Sequence, residues 1–359
     1  MSGADPFWPH RTPIPDNGHT MTAHPLLPAA LDAVATASAL TRAVQAARTD
    51  VAQHIKDDRS PVTVADYAAQ AIVSMILAEH CQTDDRLIVG EEQADELRSN
   101  KQTDIRHAVV TTVQQWRPQA SEHDVMDAID ACDHDGTADS YWTLDPIDGT
   151  KGFLRGQQYA IALGYIRQNC VVLGVLGCPN LPTDVAWTPA EPDPARCGSL
   201  YAAVLGSGAW EFPAADPNES PMRVTCPVWT PSRPVRTCAS VEAAHSNRSA
   251  TDDLLDRLGV KTEPVRLDSQ AKYAVLARGQ ADAYLRLPTS KSYVEKIWDH
   301  AAGSLVASEA GAIVTDITGA PLDFGHGPKL EANRGVIAAA EGLHDRLIEA
   351  SMTLGLSTT

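Results

Sequence analysis

The segment WTLDPIDGTKGF, residues 142–153, constrains the fold and the chemistry of this chain more than any other. Asp145 and Asp148 stand three residues apart around Pro146, which has no N–H to donate to a neighbouring strand. The pattern therefore predicts a strand that stops at Pro146. The turn that follows would aim both carboxylates in the same direction.

The same turn offers further oxygen and nitrogen atoms. The Ile147 carbonyl is left as an oxygen ligand, Gly149 lets backbone N–H groups approach an anion, and Thr150 begins a predicted short helix. Two more acids, Glu91 and Asp299, stand beside glycine or small residues at the ends of predicted elements. Hard oxygen donors without His or Cys suit Mg²⁺, so the sequence predicts a magnesium site built from separated segments.

Length and charge limit the classes of function. A chain of 359 residues favours two packed lobes with the active site between them. The net charge of -17 argues against binding to the backbone of polymeric nucleic acid, and no apolar run approaches the roughly 18 residues of a membrane span. A small polyanionic substrate would then need bound cations or a few placed basic residues.

The seven cysteines form no C-x-x-C pair, which fits neither a zinc ribbon nor a disulfide framework. Free thiols in a reducing compartment are the better interpretation, and we predict a cytoplasmic location. A calcium loop around Gly136 fails because two required ligand positions hold Ala131 and Trp142. No P-loop is present, and GSGAWE at 206–211 lacks the third glycine of a dinucleotide fingerprint.

The apolar pattern predicts three regions. They are a flexible N-terminal extension (1–24), an α+β lobe with the metal-binding motifs (25–230), and an α/β lobe with the last metal ligand (231–359). The first lobe would be largely antiparallel sheet.

Three local expectations concern the surroundings of the site. A turn at Ser60–Pro61 would lead into a helix from Ala65, which places Asp66 near the helix N-terminus. The polar stretch 93–140 is interpreted as a solvated insertion that contains an acidic helix. A helix is expected over IWDHAAGSLVASEAG, which begins at Ile297.

Several long motifs together resemble one enzyme superfamily. VTVADYAAQ, VGEE, WTLDPIDGTKGFLRG and IWDHAAG are similar to the lithium-sensitive, magnesium-dependent phosphatases that include inositol monophosphatase and fructose-1,6-bisphosphatase. DDRSPVTVADYAAQ, GCPNL, LDSQAKYAVLARGQADAYLRLP and EKIWDHAAGSLVASEAG resemble the 3'(2'),5'-bisphosphate nucleotidase branch in particular. The resemblance covers about residues 30–345 and weakens over 93–140.

The resemblance implies a layered αβαβα sandwich with two or three Mg²⁺ ions and sensitivity to lithium. In such enzymes the residues at the positions of Asp66 and Thr150 orient and activate the attacking water. The implied metal ligands are Glu91, Asp145, the Ile147 carbonyl, Asp148 and Asp299. The implied substrate contacts are Gly149, Thr150, His245, Ser269, Lys272, Arg286 and Asp299.

The implied reaction is hydrolysis of the 3'-phosphate of adenosine 3',5'-bisphosphate (PAP) to AMP, in sulfur metabolism and nucleotide detoxification. The related sulfate donor, 3'-phosphoadenosine 5'-phosphosulfate (PAPS), is a second candidate substrate. An inositol phosphatase is the main alternative, and a catalytically silent nucleotide- or metal-binding regulator is the alternative from another class. The implied partners are a small nucleotide and, at most, a second copy of the chain.

Overall fold

The computed structural model describes residues 24–51, 60–95, 97–98, 102–214, 216, 219–242, 247–261, 263–290 and 292–356. The helices are α1 (Leu27–Val51), α2 (Ser60–His80), α3 (Thr103–Gln114), α4 (Glu122–Asp130), α5 (Thr150–Leu154), α6 (Arg248–Arg257), α7 (Ala271–Ala277), α8 (Ala301–Glu309) and α9 (His344–Thr353). The strands are β1 (Ile88–Gly90), β2 (Ser140–Asp148), β3 (Ala160–Arg167), β4 (Cys170–Cys178), β5 (Ser199–Val204), β6 (Gly208–Pro213), β7 (Met222–Val224), β8 (Thr237–Ala239), β9 (Val265–Arg266), β10 (Ala283–Arg286), β11 (Ala312–Thr315) and β12 (Val336–Ala340).

Two sheets organise these elements. The first has seven strands in the order β1 to β7 and is antiparallel except for the parallel pair β1–β2. The second has five strands in the order β11-β12-β10-β8-β9 and mixes parallel and antiparallel pairs. The predicted antiparallel character of the first lobe is confirmed.

Helices cover both sheets and fill the space between them. α1 and α2 pack on one face of the seven-stranded sheet, and α8 packs on its other face and against β11 of the second sheet. α7 lies beside α8, while α9 covers β12 and contacts α6. The layers therefore run helix, sheet, helix, sheet, helix, as the resemblance implies.

The predicted lobe boundary at residue 230 stays a prediction. It falls between β7, the last strand of the first sheet, and β8, the first strand of the second. The predicted extension, residues 1–24, lies outside the described residues except for its last one.

Three of the local expectations are wrong. α2 begins at Ser60 rather than Ala65, so Asp66 lies in its second turn. Pro61 is tolerated in the first turn because the N–H groups there have no intrahelical acceptor. β2 continues through Pro146 to Asp148 by means of a register shift against β3, which lets the strand bend without ending. α8 begins at Ala301 because the three preceding residues form a turn.

The stretch 93–140 is also more than a solvated insertion. α3 and α4 pack against α2 and bury one apolar face each. The residues that they bury are Val109, Val110, Val113, Val125, Met126, Ala128 and Ile129. The acidic side chains occupy only the outer faces, so the charge of this segment concealed its contribution to the core.

Within the described residues, none of the helices combines the length and the apolar character that a membrane crossing requires.

Candidate active site

The bent end of β2 carries the first two carboxylates of the site. Asp145 is 3% exposed, and its Oδ1 atom has no hydrogen-bond partner among the described residues. Asp148 stands after the register shift, and its Oδ2 atom accepts a 2.6 Å hydrogen bond from the backbone N–H of Gln270. A buried carboxylate oxygen without a donor is costly, which indicates that the site is built for a cation.

Gly149 makes the turn that follows. Its φ of 89° is a left-handed conformation that glycine adopts without strain, and a Cβ there would lie 3.0 Å from Cβ of Ser269. Thr150, exposed, then begins α5. The glycine thus allows the β2 turn to pack directly against the LDSQAK segment of the second lobe.

Glu91 reaches Asp145 from the neighbouring strand. β1 runs parallel to β2 with Gly90 opposite Leu144, and the Glu91 carboxyl lies close enough to that of Asp145 to raise the Asp145 pKa. The chain is tight here because a Cβ on Gly90 would lie 2.7 Å from Cβ of Cys132. The carboxyl ends of two parallel strands therefore bring the two acids together.

Asp299 and Asp66 complete the cluster from two further elements. Asp299 lies in the turn before α8, and Asp66 projects from α2 with only 7% of its surface exposed. The charges of Glu91, Asp148 and Asp299 act on Asp145 together with that of Asp66. The structure thus converges five carboxylates that are separated by up to 233 positions in the sequence.

Burial and mutual repulsion raise the pKa values of this cluster. Burial raises the pKa of Glu91 to about 7 with help from Asp299, although Glu91 is the most exposed of the five. Burial likewise raises the pKa of Asp299 to about 6, against the influence of Arg286. The pKa values of Asp145 and Asp66 lie well above the usual range for the same reason. Divalent cations would neutralise the repulsion among the ionised carboxylates and would favour their charged forms.

A second group of possible ligands is occupied by a guanidinium. Single ligand atoms of Glu295, Asp299 and His300 lie within 4.8 Å of one another. However, Arg286 places Nη2 2.8 Å from Glu295 Oε2 and 3.2 Å from Asp299 Oδ2. A cation at this point would meet the charge of Arg286, so the arrangement favours an anion binding beside the arginine over a second metal there.

The predicted substrate residues are placed unevenly. Ser269 lies beside Gly149, and Arg286 lies beside Asp299, both next to the carboxylates. Lys272 is 2% exposed, and its ammonium donates to the Ser269 carbonyl at 2.7 Å and to the Leu267 carbonyl at 3.4 Å. His245 lies outside the described residues.

Two residues near the carboxylates were missed from the sequence. Gln270 and Glu295 both fall inside motifs that the resemblance uses, LDSQAK and EKIWDHAAG, but a polar residue within a motif does not reveal its contacts. Gln270 binds Asp148, and Glu295 binds Arg286 and lies 3.4 Å from the His300 ring.

The raised pKa of Glu91 predicts a pH dependence of stability. Its folded-state pKa of about 7 exceeds the ordinary glutamate value of 4.5, so the folded protein holds this proton more tightly than the unfolded chain does. The resulting stabilisation is complete below pH 4.5 and is lost as the pH rises through 7. In chelator, the Glu91→Gln variant should therefore lose less of its melting temperature between pH 5 and pH 7.5 than the unmodified protein loses.

Thermal unfolding in EDTA at the two pH values measures this difference. Glu331→Gln, at an exposed position outside the cluster, serves as the matched control and should show the unmodified pH dependence. Equal pH dependences for Glu91→Gln and the unmodified protein would contradict the placement of Glu91 among like charges.

Comparisons with known proteins find relatives that cover most of the chain. The family model described as "Inositol monophosphatase family" matches residues 25–355. A 3'(2'),5'-bisphosphate nucleotidase from Schizosaccharomyces pombe is 43% identical over 307 residues, which span 82% of this chain and 85% of that protein. The 3'(2'),5'-bisphosphate nucleotidase 1 of Candida albicans is 39% identical over 372 residues, covering 94% and 98%.

Solved structures share the fold at lower identity. Mycobacterium tuberculosis SuhB superposes with a TM-score of 0.57 at 24% identity and covers 91% of this chain and 96% of its own. CysQ from Bacteroides thetaiotaomicron, a bacterial member of the inositol monophosphatase family, gives a TM-score of 0.54 at 20% identity, with 87% and 96% covered. At these identities the likeness concerns the fold alone.

Proposed function

The chain belongs to the inositol monophosphatase family, and from that premise we propose that it hydrolyses the 3'-phosphate of PAP to give AMP and phosphate. The convergence of five carboxylates on one point, with Arg286 beside them, is the observation that carries the proposal. Relatives at about 40% identity over most of the chain carry the name 3'(2'),5'-bisphosphate nucleotidase. PAPS is the second candidate substrate.

Enzymes of this family depend on a metal, and the oxygen-only donor set here fits Mg²⁺. The residues that would hold two or three ions are Glu91, Asp145, the Ile147 carbonyl, Asp148 and Asp299. The unpartnered Oδ1 atom of Asp145 supports this assignment because it lacks a donor in the described residues. When bound, the ions supply charge neutralisation for the phosphoryl group and lower the pKa of water.

The remaining steps fall to side chains of the chain. Asp66, buried beside Glu91 and Glu92, would accept the proton of the attacking water, directly or through the hydroxyl of Thr150. Gly149 and the first turn of α5 would place backbone N–H groups near the phosphate. Arg286 would bind phosphate oxygens with the guanidinium that now contacts Glu295 and Asp299.

Lys272 offers a test of the nucleotide assignment. Its buried ammonium lies near Asp148 and Asp268, whose charges oppose the lowering of the Lys272 pKa by burial. We expect Lys272→Met to raise the KM for PAP about ten- to hundredfold. The variant would lose the hydrogen bond that we propose between the Lys272 ammonium and the 5'-phosphate, and such a charge-assisted bond contributes about 1.5–3 kcal/mol. The KM for 3'-AMP, which lacks the 5'-phosphate, should change little.

Steady-state kinetics with both substrates provide the check. An equal rise in KM for PAP and 3'-AMP would show that the substitution only disturbs the Ser269 loop, since Lys272 donates to its carbonyl. An unchanged KM for PAP would also contradict the assignment.

A substrate panel tests the function as a whole. PAP, PAPS, inositol 1-phosphate and inositol 1,4-bisphosphate are compared for phosphate release with and without Mg²⁺. We expect PAP to give the highest kcat/KM. Inositol 1-phosphate should give a low one, because it has no second phosphate to bind Lys272 and Arg286. A preference for an inositol phosphate would replace the proposal with the alternative, and no release from any substrate would favour a silent regulator.

We also propose a cytoplasmic site of action and a chain that acts as a monomer or homodimer. All seven cysteines are free, and Cys170 is exposed, which supports a reducing compartment. Lithium inhibition is proposed on the basis of the carboxylate cluster.

A further inference from the structure

Gln270 joins three segments of the site. It is 2% exposed and directly precedes α7. Its backbone N–H donates to Asp148 Oδ2 at 2.6 Å, its side-chain Nε2 donates to the Trp298 carbonyl at 2.8 Å, and its Oε1 accepts from the Gly303 N–H at 3.0 Å. One residue thus binds the carboxylate at the end of β2 and both sides of the turn that carries Asp299.

The backbone around Gln270 is held in an uncommon shape. Ser269 has a φ of 72°, a left-handed conformation that is unfavourable for serine, and its hydroxyl oxygen accepts the Ala271 N–H at 3.1 Å. This turn directs the Gln270 N–H at Asp148. Local strain next to a carboxylate cluster suggests that the direction of this N–H matters to the site.

Close backbone contacts fix the three segments further. A Cβ on Gly149 would lie 3.0 Å from Ser269 Cβ, and a Cβ on Gly303 would lie 2.3 Å from the Tyr273 ring and 2.9 Å from Gln270 Oε1. The segment of Gly303 therefore approaches Tyr273 and Gln270 too closely for a side chain, and the segment of Gly149 leaves little room beside Ser269. Gln270 thus links the segment of Asp148 to the segment of Asp299.

A purely structural role would account for only one of the three hydrogen bonds. Gly303 lies in the first turn of α8, where N–H groups lack intrahelical acceptors, and any acceptor would satisfy it. The bond to the Trp298 carbonyl is different because that carbonyl belongs to the peptide unit that leads into Asp299. It fixes the peptide plane from which the Asp299 side chain departs.

We propose that Gln270 is a positioning residue that sets the separation and orientation of Asp148 and Asp299 for cation binding. The inference rests on the proposed function only in that these carboxylates hold a metal. Residues that orient ligands without touching the metal typically change metal affinity or activity about 10–100-fold when they are replaced.

Two variants separate positioning from folding. Gln270→Met keeps the volume and removes both side-chain hydrogen bonds. Gln270→Asn keeps the amide but shortens it by one methylene, so that it no longer spans from Trp298 to Gly303. Asn333→Leu is the control: Asn333 is a buried amide that bonds Pro321 and Asp323, away from the carboxylates.

Mn²⁺ binding without substrate, followed by the paramagnetic resonance of free Mn²⁺, is the decisive readout, with thermal unfolding in chelator beside it. We expect both Gln270 variants to raise the Mn²⁺ Kd about tenfold or more. The Asn333→Leu control should lose melting temperature and keep the Kd of the unmodified protein. If Gln270→Met does not fold, Gln270→Asn decides.

An unchanged Mn²⁺ Kd in a folded Gln270 variant would overturn the proposal, as would an equal weakening in Asn333→Leu. The measurement is independent of the substrate. An unmodified protein that binds Mn²⁺ but releases no phosphate from PAP would refute the proposed function and leave this inference standing.

Discussion

Replacing Asp145 by Asn should abolish phosphate release from PAP and raise the melting temperature of the chelator-treated protein. The loss follows because Asp145 is the most buried of the proposed carboxylate ligands. A metal stabilises transition-state charge by several kcal/mol, and each 1.36 kcal/mol is a factor of ten, so a fall in kcat of about 10³ or more is expected.

The gain in stability follows from the same geometry. Burial and the charges of Glu91, Asp148 and Asp299 all oppose an ionised Asp145, as the raised pKa of this group shows. The amide removes that charge and offers an N–H donor to the carboxylates around it. Stability and activity would thus change in opposite directions, as expected where a site is held in an unfavourable arrangement for function.

Phosphate release in Mg²⁺ and thermal unfolding in EDTA at pH 7.5 measure the two effects. Asp316→Asn is the matched control, because Asp316 is 2% exposed but accepts backbone N–H groups from Thr318, Ala320 and Arg334. It should lower the melting temperature and retain activity. Activity in Asp145→Asn, or a lower melting temperature, would contradict the account.

Replacing Asp66 by Asn should lower kcat about 10²- to 10⁴-fold, the usual contribution of a positioned general base, while Mg²⁺ still binds. Asp66 is 7% exposed in α2, and burial, Glu92 and Glu91 raise its pKa. A carboxylate with a raised pKa is a better proton acceptor than an ordinary one. The amide of Asn cannot accept the proton.

Single-turnover kinetics and the Mg²⁺ concentration at half-maximal rate provide the readouts. Asp193→Asn removes a buried aspartate that caps the loop 195–198 through three backbone N–H groups, so it should cost stability and leave kcat unchanged. A kcat for Asp66→Asn near that of the unmodified protein would assign proton transfer to another group.

Much of the site could be predicted because its chemistry is local in the sequence. Asp145, Asp148 and Gly149 stand within five residues, and their spacing alone indicates a turn that presents two carboxylates. Glu91 and Asp299 were added from their positions beside glycine or small residues at the ends of predicted elements, and only the layered fold came from the resemblance. The sequence does not state which distant segments meet.

Contacts made by backbone geometry could not be predicted. The bond between Gln270 and Asp148 joins residues 122 positions apart and depends on the left-handed Ser269. Pro146 was expected to end β2, but a register shift removes the need for its missing N–H. Such features depend on how neighbouring strands and loops pack against one another. The secondary-structure propensities of the residues carry no information about that packing.

Burial was misjudged where charge dominates the composition. The segment 93–140 is rich in acids, yet α3 and α4 bury Val113 and Ile129 against the first lobe. Lys272, an implied substrate contact that stays a prediction, is 2% exposed, and its ammonium donates to two backbone carbonyls of its own segment. In α3 and α4 the acidic composition of the segment concealed the apolar face that each helix buries.

Anomalous diffraction from crystals of the unmodified protein grown with Mn²⁺ and phosphate tests the central claim most directly. The account predicts at least one strong anomalous peak about 2.0–2.3 Å from carboxylate oxygens of Asp145 and Asp148, with Glu91 or Asp299 in the same coordination sphere. A crystal with full Mn²⁺ occupancy elsewhere and no peak between these carboxylates would contradict it.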